Sequence, residues 1–191
     1  MKQRIGIFGG TFNPIHVGHL VAAQAVQEKL NLDQVIFIPV FSPPHKSSSG
    51  IAAPVHRLNM VRLAVRGNPR FIVSNCEVRR EGKSYTIDTV LHLQQVLPSG
   101  TKLFVIVGGD MLTGLKQWKH IDELQRRVTF VSVNRPGFLA KKSGIRTVCV
   151  AVPGLDISSS DVRRRISAKK SIAYLVPEST ARYIRKHKLY K

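Results

Sequence analysis

The chain has 191 residues and carries 30 lysines and arginines against 11 aspartates and glutamates, a formal net charge of +19. Its length and its hydrophobic content of 43% suit one α/β unit, so we expect residues 1–191 to form a single domain. No apolar run approaches the roughly twenty residues of a membrane span, so no such span is expected. Because Met1–Arg4 runs directly into a strand-like segment, we expect no signal peptide and a cytoplasmic location.

The excess of positive charge favours polyanionic ligands and speeds their association. Nucleoside triphosphates, mononucleotides and nucleic acids all meet this description. A general basic bias without a specific partner is equally compatible with the composition. The charge by itself therefore does not decide the function.

The two cysteines, Cys76 and Cys149, lie in separate apolar, strand-like segments. We expect both to be reduced core residues, as is usual for sparse cysteines inside cells. No catalytic role is assigned to either of them.

Strand-like and helix-like segments alternate along the whole chain. Short apolar runs predict strands at Ile5–Phe8, Val35–Val40, Phe71–Ser74, Leu103–Val107, Val128–Val133 and Thr147–Val152. Helical periodicity predicts helices at Val17–Leu30, Pro54–Arg66, Thr86–Leu97, Met111–Trp118, Asp122–Arg126, Ser159–Ala168 and Ser179–Lys188. This alternation predicts an α/β fold, a Rossmann-like doubly wound parallel sheet with helices on both faces. Ligands of such sheets bind beyond the carboxyl ends of the strands.

The segment IGIFGGTFNPIHVGH, from Ile5 to His19, places a glycine-rich turn between a buried strand and a helix. Unpaired backbone N–H groups and the helix dipole meet at such a helix start, an arrangement that binds phosphate. The glycine pair predicts a sharp turn and close approach of a ligand to the backbone. Two imidazoles three residues apart add donors on the same side of the first helical turn. The candidate phosphate-site residues of this segment are Gly9, Gly10, Thr11, Phe12, His16, Gly18 and His19.

Other interpretations of this segment are weaker. It lacks the spacing of a P-loop, GxxxxGK[ST], and that of the dinucleotide fingerprint, GxGxxG. The two histidines could bind a metal ion, but no third ligand lies nearby in the sequence, and Gly18 favours close approach of a group bulkier than an ion. We therefore predict phosphate chemistry and no metal ion held by the protein.

A second candidate phosphate element precedes the predicted helix at Ser159–Ala168. Ile157, Ser158 and Ser159 come before or at the helix start, and Arg163 falls one turn into the helix. Serines in this position offer helix caps and anion donors together, so capping alone is an alternative interpretation. Two such elements in one chain favour a polyphosphate site more strongly than either does alone.

Polar residues also follow two of the predicted strands directly. Gly108 and Asp110 follow Leu103–Val107, which predicts backbone contact to a nucleotide and a carboxylate on ribose hydroxyls. A simple turn in which Asp110 caps the next helix is the alternative. Arg135 follows Val128–Val133 and can lie against adenine or reach a phosphate.

The motif GGTFNPIHVGH resembles the HxGH signature of the nucleotidylyltransferases, here as His16-Val17-Gly18-His19. ISSSDVR is similar to the ISSxxxR motif of the same superfamily. Within the superfamily, the chain resembles the bacterial nicotinate-mononucleotide adenylyltransferases most. The segments that carry this resemblance are SYTIDT, the GGD with Trp118, RPG and the closing VPESTARYIRKHKLY. The resemblance implies direct transfer of an adenylyl group from ATP to nicotinate mononucleotide, with release of pyrophosphate and with Mg²⁺ bound to the substrate phosphates.

The resemblance also implies roles for individual residues. His16, His19 and Arg163 would be catalytic. ATP would be bound by Gly9, Gly10, Thr11, Phe12, Gly18, Gly108, Asp110, Arg135, Ile157, Ser158 and Ser159. Nicotinate mononucleotide would be bound by Lys46, Tyr85, Thr86 and Trp118. The residues alone allow simpler interpretations. Lys46 can be a solvated lysine in the loop Ser42–Ala53, and Trp118 can be a core residue. Ser84 or Thr86 can cap a helix.

Two alternative functions remain open at this stage. A phosphopantetheine adenylyltransferase would share the HxGH site and differ in its acceptor pocket. A basic nucleic-acid-binding domain would bind polyanions with a steep salt dependence and catalyse nothing, but we expect no specific nucleic-acid partner and no membrane partner. Arg57 is expected on the surface or between helices, outside the site. The sequence does not determine the oligomeric state.

Overall fold

The computed structural model describes residues 2–43, 50–134 and 144–191. Its strands are β1 Arg4–Gly10, β2 Gln34–Pro39, β3 Phe71–Val73, β4 Lys102–Gly108, β5 Val128–Asn134 and β6 Thr147–Ala151. They form one sheet in the order β3-β2-β1-β4-β5-β6, and every neighbouring pair is parallel. The predicted α/β class and doubly wound parallel sheet are confirmed.

The connections between the strands are mostly helical, as parallel pairing requires. The helices are α1 Val17–Lys29, α2 Pro54–Val65, α3 Cys76–Arg80, α4 Thr86–Val96, α5 Ile121–Arg127, α6 Ser159–Ser167 and α7 Glu178–Lys186, and a 3₁₀ segment spans Gly109–Gln117. In the described ranges, no helix combines the length and the apolar character that crossing a membrane requires.

Side chains of the sheet alternate between two apolar clusters, one on each face. In β1, Phe8 belongs to one cluster, whereas Ile5 and Ile7 belong to the other. The first cluster includes side chains of α1, α2, α6 and α7, and the second includes side chains of α4, α5 and the 3₁₀ segment. Because helices cover both faces of the sheet, each strand is apolar along its length, and its residues do not alternate between apolar and polar.

The sheet contains a crevice where the strand order reverses, between β1 and β4. Their ladder ends where Ile7 pairs with Val105. Beyond that point β1 continues beside β2 to Gly10, and β4 continues beside β5 to Gly108. The two central strands therefore separate at their carboxyl ends. Parallel α/β sheets bind ligands in a crevice of this kind.

Several sequence predictions differ from the structure. In place of the predicted helix Met111–Trp118 the structure has the 3₁₀ segment Gly109–Gln117, whose two glycines, Gly109 and Gly114, weaken an α-helix. Cys76 begins α3, a helix of only 5 residues that is too short to show helical periodicity in the sequence. Cys149 is exposed and not a core residue, because it lies in the edge strand β6. Both thiols are free.

Candidate active site

The two histidines of the HxGH segment lie at the start of α1, with ring centroids 3.7 Å apart. His19 Nδ1 accepts a hydrogen bond from the backbone N–H of His16 at 3.2 Å. Because Nδ1 is the acceptor, a neutral His19 ring carries its hydrogen on Nε2. His16 is 6% exposed, and His19 is half-buried. The imidazoles therefore lie on the same side of the helix start, as predicted, with His16 as the N-cap residue of α1 and the His19 ring held by the His16 backbone.

Backbone N–H groups at the start of α1 are hydrogen-bonded within the protein. Val17 N–H donates to the carbonyl of Leu175 at 2.9 Å, and His19 N–H donates to that of His16 at 3.0 Å. The N–H of His16 donates to His19 Nδ1. These three N–H groups are therefore not the unpaired amides that the sequence analysis expected to bind phosphate, and the two imidazoles are further candidate donors to an anion at this helix start.

The sharp turn predicted at the glycine pair is wrong, because β1 continues through both glycines. The chain turns instead at Phe12, where φ is 46°. Phe12 is 2% exposed, and its ring contacts Phe8 and Phe37, so the structure places this residue in the core, and its contact with ATP stays a prediction. A Cβ on Gly10 would lie 3.0 Å from the Phe12 ring, whereas a Cβ on Gly9 would meet nothing within 4 Å. Gly10 serves core packing, and Gly9 borders open space.

Gly18 permits close packing around the first histidine. A Cβ at this position would lie 3.1 Å from His16 Nδ1 and 3.9 Å from the carbonyl oxygen of Ile157. The missing side chain therefore lets the His16 ring lie against the helix start, whereas the distance to Ile157 is an ordinary contact. The sequence analysis predicted that a ligand approaches the backbone closely at Gly18. In the structure, the group that lies close to Gly18 is the His16 ring.

The loop between β1 and α1 is held by side chains from distant parts of the chain. Three of them donate hydrogen bonds to carbonyl groups of the loop: Arg57 to Thr11 at 2.9 Å, Arg163 to Asn13 at 2.8 Å and Ser159 to Pro14 at 2.8 Å. Each bond joins the loop to α2 or α6. The position of the histidine pair is thus fixed by more than its own strand and helix.

The two predicted phosphate elements meet at this loop. Ser159 and Arg163 contact it directly, and Ile157 lies beside Gly18. Ser158 is the N-cap of α6, and its hydroxyl accepts a hydrogen bond from the N–H of Asp161 at 3.0 Å. The capping interpretation is therefore confirmed for the Ser158 hydroxyl, and its backbone amide is the group that could contact a phosphate.

Arg57 is fully buried, so the expectation of a surface or inter-helix residue is wrong. Besides Thr11, its guanidinium donates to carbonyl groups that flank the loop between β2 and α2: Val40 at 2.6 Å, Phe41 at 2.8 Å and Ala52 at 2.8 Å. Burial lowers the pKa of Arg57, and the nearby Tyr190 opposes this effect. Arg57 thus connects two loops at the carboxyl edge of the sheet.

At the end of β4, Gly108 and Asp110 lie beside the crevice. A Cβ on Gly108 would clash with the Asp110 carboxylate, so the glycine lets that carboxylate fold back over the strand end. The N-cap of the 3₁₀ segment is Gly108, without a side-chain hydrogen bond, so the alternative in which Asp110 caps this segment is wrong. Asp110 is exposed, and its contact with ribose stays a prediction.

Tyr85 and Thr86 lie at the start of α4, with Tyr85 as the N-cap residue. Among the described residues, no side chain caps this helix start. The alternative in which Ser84 or Thr86 caps the helix is therefore wrong. Instead, the Ser84 hydroxyl accepts a hydrogen bond from the N–H of Phe41 at 3.0 Å. This bond places the start of α4 beside the residues that follow β2.

Trp118 and Tyr85 both pack against the apolar cluster on the same face of the sheet. Trp118 contacts Phe130 edge-on, with ring centroids 6.1 Å apart. The next residue, Lys119, lies over the Tyr85 ring at 4.7 Å and pairs with Asp88 at 3.8 Å. Tyr85 and Trp118 thus line the same face of the sheet, and Lys119 adds a positive charge that the sequence analysis did not predict.

Glu77 is a second residue of this region that the sequence analysis missed. It is 4% exposed, and its Oε1 accepts a hydrogen bond from the Thr89 hydroxyl at 2.6 Å. Burial raises the pKa of Glu77, and hydrogen bonds with Thr89 and Ser84 oppose this effect. The bond to Thr89 holds the first turn of α4 against α3.

Two predicted ligand-binding residues, Lys46 and Arg135, lie outside the described residues. So does part of the predicted loop Ser42–Ala53. The roles assigned to both residues stay sequence predictions.

Comparison with known proteins places this site in a family. Residues 7–165 match the model of the cytidylyltransferase-like family. A probable nicotinate-nucleotide adenylyltransferase from Thermoanaerobacter sp. (strain X514) is 43% identical, covering 100% of this chain and 95% of that protein. A protein of the same name from Lactiplantibacillus plantarum is 45% identical, covering 99% of this chain and 89% of that protein.

Solved structures agree with the fold. Plasmodium falciparum nicotinic acid mononucleotide adenylyltransferase complexed with NaAD superimposes with a TM-score of 0.82 at 20% identity, covering 98% of this chain and 97% of that chain. A structure of that enzyme complexed with APC gives a TM-score of 0.80 at 19% identity, covering 98% of this chain and 97% of that chain. The family match and the sequence identities show that the chain belongs to the cytidylyltransferase-like family and, within it, to the nicotinate-nucleotide adenylyltransferases.

Proposed function

We propose that this chain joins ATP and nicotinate mononucleotide (NaMN) to give nicotinate adenine dinucleotide (NaAD) and pyrophosphate. An oxygen of the NaMN phosphate bonds to the α-phosphorus of ATP, the bond from that phosphorus to the bridging oxygen breaks, and pyrophosphate leaves in line. The observation that carries the proposal is that Arg163 bonds to the loop that precedes the histidine pair, beside the crevice between β1 and β4. The Plasmodium falciparum relative is solved with NaAD, which supports a nucleotide in the corresponding place.

The residues of the chain would act by positioning and by stabilising charge. His19 and His16 donate hydrogen bonds to the α-phosphate and its neighbours. Arg163 and the amides of Ser158 and Ser159 bind the leaving pyrophosphate. A guanidinium has five N–H donors, so Arg163 can keep its bond to the loop while it binds a phosphate. No covalent nucleophile is needed, because the attacking phosphate is already anionic. Holding two reactants in line can contribute about 7–11 kcal/mol.

The acceptor would lie on the α4 side of the crevice. The start of α4 has no side-chain cap, so its N–H groups and the helix dipole suit the carboxylate of nicotinate. Trp118 offers a flat face to the pyridine ring. Tyr85 borders the same space, and Lys46 would reach the phosphate of NaMN. On the other side, Gly108, Asp110 and Arg135 would contact the adenosine of ATP.

Mg²⁺ would enter the site bound to ATP. Within the described ranges, no group of three or more histidine, cysteine, aspartate or glutamate side chains could hold a metal ion. The donors near the histidine pair are imidazoles and a guanidinium, which suit anions and not Mg²⁺, whereas Asp110 is a single exposed carboxylate. This donor set fits an ion carried mainly by substrate phosphates and water. When bound, Mg²⁺ neutralises part of the phosphate charge.

Isotope exchange between pyrophosphate and ATP tests the direct transfer. If the NaMN phosphate attacks ATP directly, labelled pyrophosphate enters ATP only when NaAD or NaMN is also present. An adenylylated enzyme would catalyse the exchange with ATP and pyrophosphate alone. Exchange in the absence of any pyridine nucleotide would therefore contradict the single-step mechanism.

Substituting Gly9 and Gly10, the last two residues of β1, separates ligand contact from core packing. A Cβ on Gly9 meets nothing within 4 Å, so Gly9→Ala is expected to leave the free energy of unfolding unchanged and to raise KM for ATP about tenfold or more, since an intruding methyl group costs about 1–3 kcal/mol. Steady-state kinetics and urea unfolding measure both quantities.

Gly10→Ala is the matched comparison. Its Cβ would lie 3.0 Å from the Phe12 ring, so the protein is expected to lose about 1–3 kcal/mol of stability. An unchanged KM for ATP in Gly9→Ala would show that the nucleotide does not lie against β1.

A phosphopantetheine adenylyltransferase is the competing activity within the superfamily. It would use the same phosphate site, so the histidine pair does not separate the two. Tyr85 and Trp118 pack against one apolar cluster, which favours a flat aromatic acceptor over a flexible arm. The 43% and 45% identical relatives named as nicotinate-nucleotide adenylyltransferases support the same choice.

A further inference from the structure

The last residues of the chain fold back onto the active-site loop. After α7 ends at Lys186, Lys188 and Tyr190 adopt positive φ values of 51° and 64° and redirect the backbone. The N–H of Leu189 donates to the carbonyl of Ile184 at 3.1 Å. Leu189 and Tyr190 are partly buried against the apolar cluster that contains Phe12. The C-terminal residues are therefore packed, although α7 has already ended.

Tyr190 reaches across 177 residues of sequence to the loop before the histidines. Its hydroxyl donates to Oδ1 of Asn13 at 2.8 Å. Oδ1 also accepts a hydrogen bond from the N–H of Ala52 at 3.0 Å, and Nδ2 donates to the carbonyl of Gly50 at 3.0 Å. Asn13 is 4% exposed. Its amide thus joins the loop before α1, the segment before α2 and the C-terminus of the chain.

Tyr190 is a neutral donor between two positive charges. Burial raises the pKa of its hydroxyl, while Arg163 and Arg57 oppose that shift. Both arginines donate to carbonyl groups of the same loop: Arg163 to that of Asn13 and Arg57 to that of Thr11. The phenol is therefore a third donor to the loop, beside the buried Arg57 and the partly buried Arg163, and it adds no further charge.

We propose that Tyr190 is a positioning residue, which acts through Asn13 to hold the loop that carries His16 and His19. The proposal rests on the function proposed above and concerns how the histidines are kept in place. Asn13 lies three residues before His16, so a displacement of its side chain moves the imidazoles. Small displacements of this kind reduce rates more than they reduce stability.

Tyr190→Phe tests the proposal, because phenylalanine keeps the ring and removes only the hydroxyl. Loss of one neutral hydrogen bond corresponds to about a 2- to 10-fold effect, so kcat is expected to fall by that factor with KM for ATP and NaMN little changed. Tyr174→Phe is the matched control, because Tyr174 is 94% exposed, and it should behave as wild type. A purely structural Tyr190 would lower Tm and leave kcat unchanged, and that result overturns the proposal.

A double-mutant cycle tests whether Tyr190 acts through Asn13. If it does, Tyr190→Phe has no further effect on kcat in an Asn13→Ala background. If the full decrease persists in that background, the coupling to Asn13 is absent and the proposal fails.

Amide hydrogen exchange separates this proposal from the proposed reaction. The N–H of Ala52 is bonded to Asn13 Oδ1, so its exchange is expected to rise about 2- to 10-fold in Tyr190→Phe and to stay unchanged in Tyr174→Phe. Wild-type enzyme that does not turn over NaMN would contradict the proposed reaction alone. Unchanged exchange at Ala52 would contradict the role of Tyr190, whatever substrate the enzyme uses.

Discussion

His19→Ala is expected to lower kcat about 100- to 1,000-fold, the effect of removing one preorganised donor to developing charge. His19 Nδ1 accepts the N–H of His16, so the ring hydrogen is on Nε2, and this N–H is the donor that we assign to the α-phosphate. The alanine removes it together with the ring that stacks on His16. KM for ATP should change less than kcat, because the contact strengthens as charge moves onto the leaving group.

The folding of this variant is expected to change little. His19 is half-buried, and the hydrogen bond that it accepts from the His16 N–H is a long one at 3.2 Å, so the loss of stability should be about 1 kcal/mol. His92→Ala is the matched control, because His92 is exposed on α4. Steady-state kinetics and thermal unfolding of both variants measure the two effects. A kcat within twofold of wild type in His19→Ala would remove this residue from the mechanism.

Arg57→Met is expected to lower the free energy of unfolding by at least about 3 kcal/mol, more than Gly10→Ala or His19→Ala. Arg57 is 0% exposed and donates to four carbonyl groups, those of Thr11, Val40, Phe41 and Ala52. Methionine fills much of the space but donates nothing, and each buried acceptor left without a partner costs about 1–3 kcal/mol. The free energy of unfolding in urea measures this loss.

Arg62→Met is the control for this prediction, because Arg62 is exposed in the same helix. Its effect should stay within about 0.5 kcal/mol. Arg57→Lys should also be destabilised, since one ammonium group cannot replace a planar fork that contacts two loops. Equal stability of Arg57→Met and Arg62→Met would show that Arg57 does not organise the carboxyl edge of the sheet.

The sheet could be predicted from the sequence because its strands are buried on both faces. Apolar runs such as Ile5–Phe8 and Leu103–Val107 match β1 and β4 apart from one or two residues at the ends. The alternation with helices then requires a parallel sheet. What this pattern did not show is where β1 ends, because Gly9 and Gly10 are compatible with a turn as well as with a strand.

The centre of the site could be predicted because its residues are close together in the sequence. His16 and His19 are three residues apart, as the N-cap and N3 residues of α1, and side chains at these two positions meet at a helix start. Ser159 and Arg163 form a second local group, and the topology of the sheet joins it to the first. Their roles toward ATP still await measurement.

The supporting residues could not be predicted, because their contacts are distant in sequence. Arg57 lies in an ordinary amphipathic helix, and nothing in its neighbours indicates that it contacts Thr11. Tyr190 is separated from Asn13 by most of the chain. Lys119 is one lysine among many in a strongly basic protein, and only the structure places it over Tyr85. Contacts of this kind leave no periodic signal in a single sequence.

The most direct test of the assigned reaction is pyrophosphate release with ATP and Mg²⁺ and three acceptors in parallel: NaMN, nicotinamide mononucleotide and phosphopantetheine. We predict rapid release with NaMN and much slower release with the other two, because a carboxylate suits the start of α4 and a flat ring suits Trp118. A preference for phosphopantetheine would contradict the acceptor site while leaving the phosphate site intact. No release with any of the three, together with tight and steeply salt-dependent binding of nucleic acid, would contradict the assigned reaction itself.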